Sequence, residues 1–169
     1  MKRLSRHLAA ASVACAAFAA QPALAQGADG SGLSHDQTNR VVTILDTGFR
    51  TCLKVEPVYR IDCFSQVYRN GSKLLANNAS YWEAEVALTR VGRNLYSFQR
   101  ANTDSSKGRV RTDGYRLKAV TPASMPEAEA LYATNVSRAE ELLRSGNKAE
   151  QTFFGPIADE VAKFPELVP

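Results

Sequence analysis

The sequence predicts an all-α fold: a single antiparallel bundle of four or five helices, stapled by one disulfide, with a basic loop or short β-hairpin between helices three and four. Three observations predict it. Apolar residues recur at intervals of three, four and seven through most of the chain, the period of a helix buried on one face. Ser or Asn followed three positions later by Glu or Gln precedes several of these runs and marks helix starts. Finally, Cys52 and Cys63 flank Pro57 at a spacing that requires a turn between two helices.

The first 25 residues read as a signal peptide. Lys2, Arg3 and Arg6 form a positive n-region, Leu8 to Ala20 an apolar run, and Ala23-Leu24-Ala25 a cleavage motif. The apolar run is shorter than the roughly 20 residues a membrane span needs, and no later stretch approaches that length. Cleavage near Ala25 implies a periplasmic or secreted protein without a transmembrane segment. The chain carries 21 Lys+Arg against 17 Asp+Glu, but removal of the leader leaves 18 against 17, so the apparent basicity largely disappears. The remainder suits one domain over 34–169, preceded by a flexible Gly-rich lead-in at 26–33.

Helix one is expected over about 35–54, opened by a Ser34/Gln37 capping box, with Val41, Leu45, Phe49 and Cys52 on one face. Gly48 inside it costs about 1 kcal/mol against alanine unless something packs close there. Glu56-Pro57 breaks the chain, and Pro57 suits the first position of helix two. A straight helix from Cys52 to Cys63 would hold their Cα atoms about 16 Å apart, whereas a disulfide tolerates about 7 Å. With the turn at Pro57, the bond pins a helical hairpin. The spacing fits neither C-x-x-C redox chemistry nor haem attachment, and a zinc site would lack ligands, so the pair reads as a staple.

Ile61, Phe64, Tyr68 and Leu75 define helix two, which Asn70-Gly71-Ser72 is expected to weaken or kink. Ser80/Glu83 makes a second capping box, followed by Ala84, Leu88, Val91, Leu95 and Phe98 in helix three, with Trp82 and Val86 widening its apolar face. Residues 103–121 break the helical period. Asp113-Gly114 between Val110, Thr112 and Tyr115, Leu117 suits a two-residue hairpin, and an irregular basic loop fits equally. Ser124/Glu127 is a third capping box, opening helix four up to Gly146 at the position after the C-cap. Asn147/Glu150 opens helix five, in which Pro156 must bend the helix or delay its start; Pro165 ends it.

Catalytic signatures are missing. His35 is the only histidine after the leader, the adjacent acidic pairs do not share a helix face, and no phosphate-cradling loop or metal motif occurs. No cofactor is expected. Charge segregation stands out instead. Residues 90–118 hold eight bases against Asp104 and Asp113, while 122–169 hold eight acids against four bases. Either the two stretches answer each other across the fold, or Arg109, Arg111, Arg116 and Lys118 engage an anionic partner, with Tyr96 and Tyr115 adding stacking surface. No nucleic-acid motif is present.

The function expected is an exported, non-catalytic binding protein of the bacterial envelope: an adaptor, inhibitor or chaperone-like factor whose partner is an envelope protein or anionic component. One alternative is a small-molecule carrier with Trp82, Tyr132, Phe153 and Phe154 lining a pocket in the bundle. Another is an enzyme without a recognisable signature.

Overall fold

In a computed structural model, residues 32–167 are described. The signal-peptide reading of 1–25 lies outside them, as does most of the 26–33 lead-in. The last two residues of that lead-in are tied down: Leu33 is buried, and Gly32 O accepts from Asn78 Nδ2 at 3.0 Å.

Five helices form: α1 (His35–Leu53), α2 (Pro57–Leu75), α3 (Trp82–Ala101), α4 (Met125–Arg144) and α5 (Lys148–Ala162). Between α3 and α4 lies the hairpin β1 (Val110–Thr112) and β2 (Tyr115–Leu117). Each helix packs on its sequence neighbour, and α5 closes back onto α1. Successive helices run antiparallel, so closing a ring of five leaves its first and last members parallel. Thr38 accordingly bonds Phe153 O at one end of the α1/α5 pair, while Phe49 meets Phe164 at the other, ring centroids 5.1 Å apart.

The apolar faces read from the sequence form the core. Val41, Leu45, Phe49, Ile61, Phe64, Leu88 and Leu95 are fully or almost fully buried. Phe49, Phe64, Tyr68 and Tyr132 make an aromatic centre with neighbouring centroids 5.0–5.2 Å apart. The Cys52–Cys63 disulfide is formed with the Cα atoms 5.6 Å apart, and Pro57 occupies the first turn of α2. Both cysteines are inaccessible to solvent.

Several local expectations change. The α2 helix continues through Asn70-Gly71-Ser72, because Gly71 faces Leu45 and Leu88 closely and packing holds the turn. Approach to α3 runs through a 3-10 turn at Ala79–Tyr81, capped by Asn78 accepting from Ser80 N, so the helix does not start directly at Ser80. Trp82 then falls outside the apolar face and is 62% exposed. Ser124 ends a second 3-10 turn and stands at the N-cap of α4 as expected, but its hydroxyl donates to Thr121 O and accepts no N–H of the helix. Gly146 lacks the left-handed backbone of a C-cap motif; a Cβ there would crowd Glu150, 2.9 Å away. Asn147 and Glu150 form the expected capping box, and α5 passes through Pro156.

Candidate functional site

The hairpin resolves the ambiguity at 103–121. Val110 pairs with Leu117, Arg111 with Arg116 and Thr112 with Tyr115, closed by Asp113 and Gly114 at φ 37° and 86°. Two successive positive φ values give the turn whose twist matches a hairpin, which is why Asp-Gly serves there. The alternation buries Leu117 and points Arg111 and Arg116 outward.

Polar contacts seat this hairpin on α1 and α2. Lys118 N donates to Asp62 Oδ2 at 2.8 Å, Gln66 Nε2 to Arg116 O at 3.1 Å, and Val120 N to Val58 O at 2.9 Å. Tyr59 Oη reaches Gly108 O at 2.8 Å, and Thr51 Oγ1 reaches Asp113 Oδ2 at 3.3 Å. The missing side chain at Gly48 leaves room for Val67 and the Tyr115 hydroxyl, which explains a glycine inside α1. Tyr115 thus faces the bundle rather than offering a stacking surface.

Docking this way creates a cleft of about 240 Å³ between α2, α3 and β2. Asp62, Gln66, Arg69 and Lys73 follow at four-three-four spacing and form one stripe of α2. The α3 helix adds Tyr96 and Gln99, and the hairpin adds Arg116 and Lys118. The helices approach closely at Gly92, whose O accepts from Ser65 Oγ at 2.9 Å. Arg69 crosses that glycine, with its guanidinium carbon 5.2 Å from the centroid of Tyr96; the Arg100 guanidinium lies 5.8 Å from the same centroid. Tyr96 therefore gathers two guanidiniums at the cleft edge.

The electrostatics are one-sided. Among the described residues, ion pairs join Arg50–Asp46, Lys107–Glu56, Arg144 with Glu140 and Asp159, and Lys163–Glu160. None involves Arg69, Lys73, Arg116 or Lys118. The one acid in the cleft is Asp62, 5% exposed. Burial raises its pKa above the ordinary value, opposed by the Lys118 amide, the Gln66 side chain and the charges of Lys118 and Arg69.

Of the four cations singled out from sequence, Arg116 and Lys118 line the cleft. Arg111 is the cross-strand neighbour of Arg116 but does not line the cleft, and Arg109 is exposed outside it. Arg69, Lys73, Asp62, Gln66 and Gln99 were not expected. The signal that could have found the first four is the polar stripe on α2; Gln99, alone on α3, carried none.

The aromatic residues proposed for a carrier pocket do not converge on a cavity. Tyr132 and Phe154 are buried in the core, Phe153 packs on His35 with centroids 4.9 Å apart, and Trp82 is exposed. A second hollow, about 370 Å³, runs between α3 and α4 over Ala87, Val91, Ala139 and Leu142, and none of the four aromatics lines it or the cleft. Its central polar groups satisfy each other, Asn94 Nδ2 donating to Asn135 Oδ1 at 2.6 Å.

Among the described residues no group of three metal-ligating side chains converges, and no helix is long and apolar enough to cross a membrane. Comparison with protein-family models, curated proteins and solved structures finds no match to this chain.

Proposed function

We propose that this chain is an exported, non-catalytic binding protein of the bacterial envelope that holds an anionic partner in the cleft between α2, α3 and the hairpin. One observation carries the reading. Four cations from two separate elements, Arg69 and Lys73 of α2 with Arg116 and Lys118 of the hairpin, meet in one concavity without ion-pair partners. Like charges brought together raise the energy of the folded chain, and directly opposed strand residues such as Arg111 and Arg116 add to that cost. An external anion relieves both. Export rests on the leader-like N-terminus and agrees with a buried disulfide, which persists in oxidising compartments.

The test is the affinity for inorganic polyphosphate as a function of salt. The native chain is compared with a variant carrying Arg69→Gln, Lys73→Gln, Arg116→Gln and Lys118→Gln. At least tenfold weaker binding by the variant, with a shallower salt dependence and an unchanged helical spectrum, is expected. Equal affinity in the two proteins would assign these cations to the solvated surface.

A further inference from the structure

The cleft presents more than positive charge. Gln66 uses its amide nitrogen on Arg116 O, and Gln99 uses its own on Thr103 Oγ1 at 2.9 Å, so each keeps its amide oxygen as an acceptor. Asp62 receives the backbone N–H of Lys118 and is approached by the Gln66 amide, and a carboxylate has room for further donors. Thus the cleft holds cations together with three acceptor groups, and an acceptor-only anion such as sulfate would meet Asp62 unfavourably. The complementary ligand carries an anionic group for the cations and hydroxyls for Asp62, Gln66 and Gln99.

Size and surroundings narrow the class further. At about 240 Å³ the cleft is smaller than the roughly 300–1,000 Å³ of pockets for drug-sized ligands, which suits one small ring. A lipid surface fits less well. Trp82, the more exposed aromatic, opens α3 about 21 Å along the helix from the cleft, and Tyr96 at the cleft is engaged by Arg69 and Arg100.

Resting on the anion-binding reading above, we infer that the cleft recognises an acidic sugar residue of a soluble envelope polysaccharide, its carboxylate held by Arg69, Lys73, Arg116 and Lys118 and its hydroxyls by Asp62 and the two glutamines.

The experiment is an NMR titration of the full mature chain with trigalacturonate, neutral maltotriose and tripolyphosphate. It is repeated on Asp62→Asn, whose amide oxygen can still accept from Lys118 N. Trigalacturonate is expected to shift the Gln66, Tyr96 and Lys118 amides and to bind at least tenfold more tightly than maltotriose. Asp62→Asn should weaken trigalacturonate several-fold while leaving tripolyphosphate unchanged or tighter, because only the sugar donates to that carboxylate. Tripolyphosphate shifts at the cleft without trigalacturonate shifts would overturn the sugar inference and leave the anion reading standing. Silence from both anions would end both. Tightening of both anions by Asp62→Asn also overturns the inference, since no hydroxyl would then rest on Asp62. Co-sedimentation with vesicles bearing a glucuronosyl lipid, without binding of the soluble trimer, would replace the polysaccharide with a lipid headgroup.

Discussion

Arg69 passes directly over Gly92: a Cβ on that glycine would stand 2.7 Å from Arg69 Cγ and 3.2 Å from both Arg69 N and Ser65 O. The vacancy lets α2 and α3 approach and lets the arginine stem cross to Tyr96. Gly92→Ala sets two effects against each other. Alanine favours the helix by about 1 kcal/mol, whereas overpacking a closed contact costs about 1–3 kcal/mol. Two of the three close atoms are backbone and cannot swing away, so the clash should win. Urea unfolding should show a net loss of up to about 2 kcal/mol, with weaker polyphosphate binding as Arg69 is displaced. A more stable variant would refute the close-packing account.

The disulfide joins the last turn of α1 to the second turn of α2 and closes a loop of only 11 residues' separation. In the chain-entropy picture such a loop contributes about 2–3 kcal/mol. Replacing Cys52 and Cys63 together by alanine should lower the unfolding free energy by about that amount and leave the helical spectrum intact. A thiol reagent should label neither cysteine of unreduced native protein. Rapid labelling of both would show that the bond is labile and would reopen a redox role.

Arg111 and Arg116 are direct cross-strand neighbours. Opposed like charges destabilise a strand pair, with side-chain pair effects of roughly 0.2–1 kcal/mol. Threonine has good strand propensity and no charge. Arg111→Thr should therefore leave the melting temperature unchanged or slightly raised, while polyphosphate affinity falls. A drop in melting temperature of several degrees would give Arg111 a structural role that the fold does not suggest.

What was legible in the sequence was local or periodic. Asn147 and Glu150 cap α5 through bonds spanning three residues, so four letters suffice to see them. Ser80/Glu83 and Ser124/Glu127 carry the same letters, yet a 3-10 turn moves the start of α3 to Trp82, and another leaves Ser124 at the N-cap of α4 with its hydroxyl turned back to Thr121 O. The shift at α3 depends on packing: Tyr81 is fully buried with its hydroxyl donating to Ser34 O at 2.7 Å, 47 residues away. The cleft failed to appear for a related reason. Charge was read along the chain, where 90–118 stood out, but half of the cleft cations come from α2 and meet the hairpin only after folding.

Asp62 ties the cleft to pH. Its folded-state pKa lies above the ordinary value, chiefly through burial. An acid with a raised folded pKa holds its proton more tightly when folded, so its contribution is fully present below the unfolded pKa, about 3.9, and is lost as pH rises through the folded pKa. Asp62→Asn removes that titration while keeping an acceptor for Lys118 N. Measured by urea unfolding between about pH 3 and 6, the variant should gain stability relative to the native chain as pH rises. A constant difference across that range would mean that Asp62 is not held above its ordinary value. Binding supplies a second reading of the same group. An anion seated among Arg69, Lys73, Arg116 and Lys118 offsets the positive charges that now favour ionised Asp62. The carboxyl signal of Asp62 should therefore titrate at higher pH in protein saturated with tripolyphosphate, which has no hydroxyl to donate to it, and an unmoved midpoint would place the anion elsewhere.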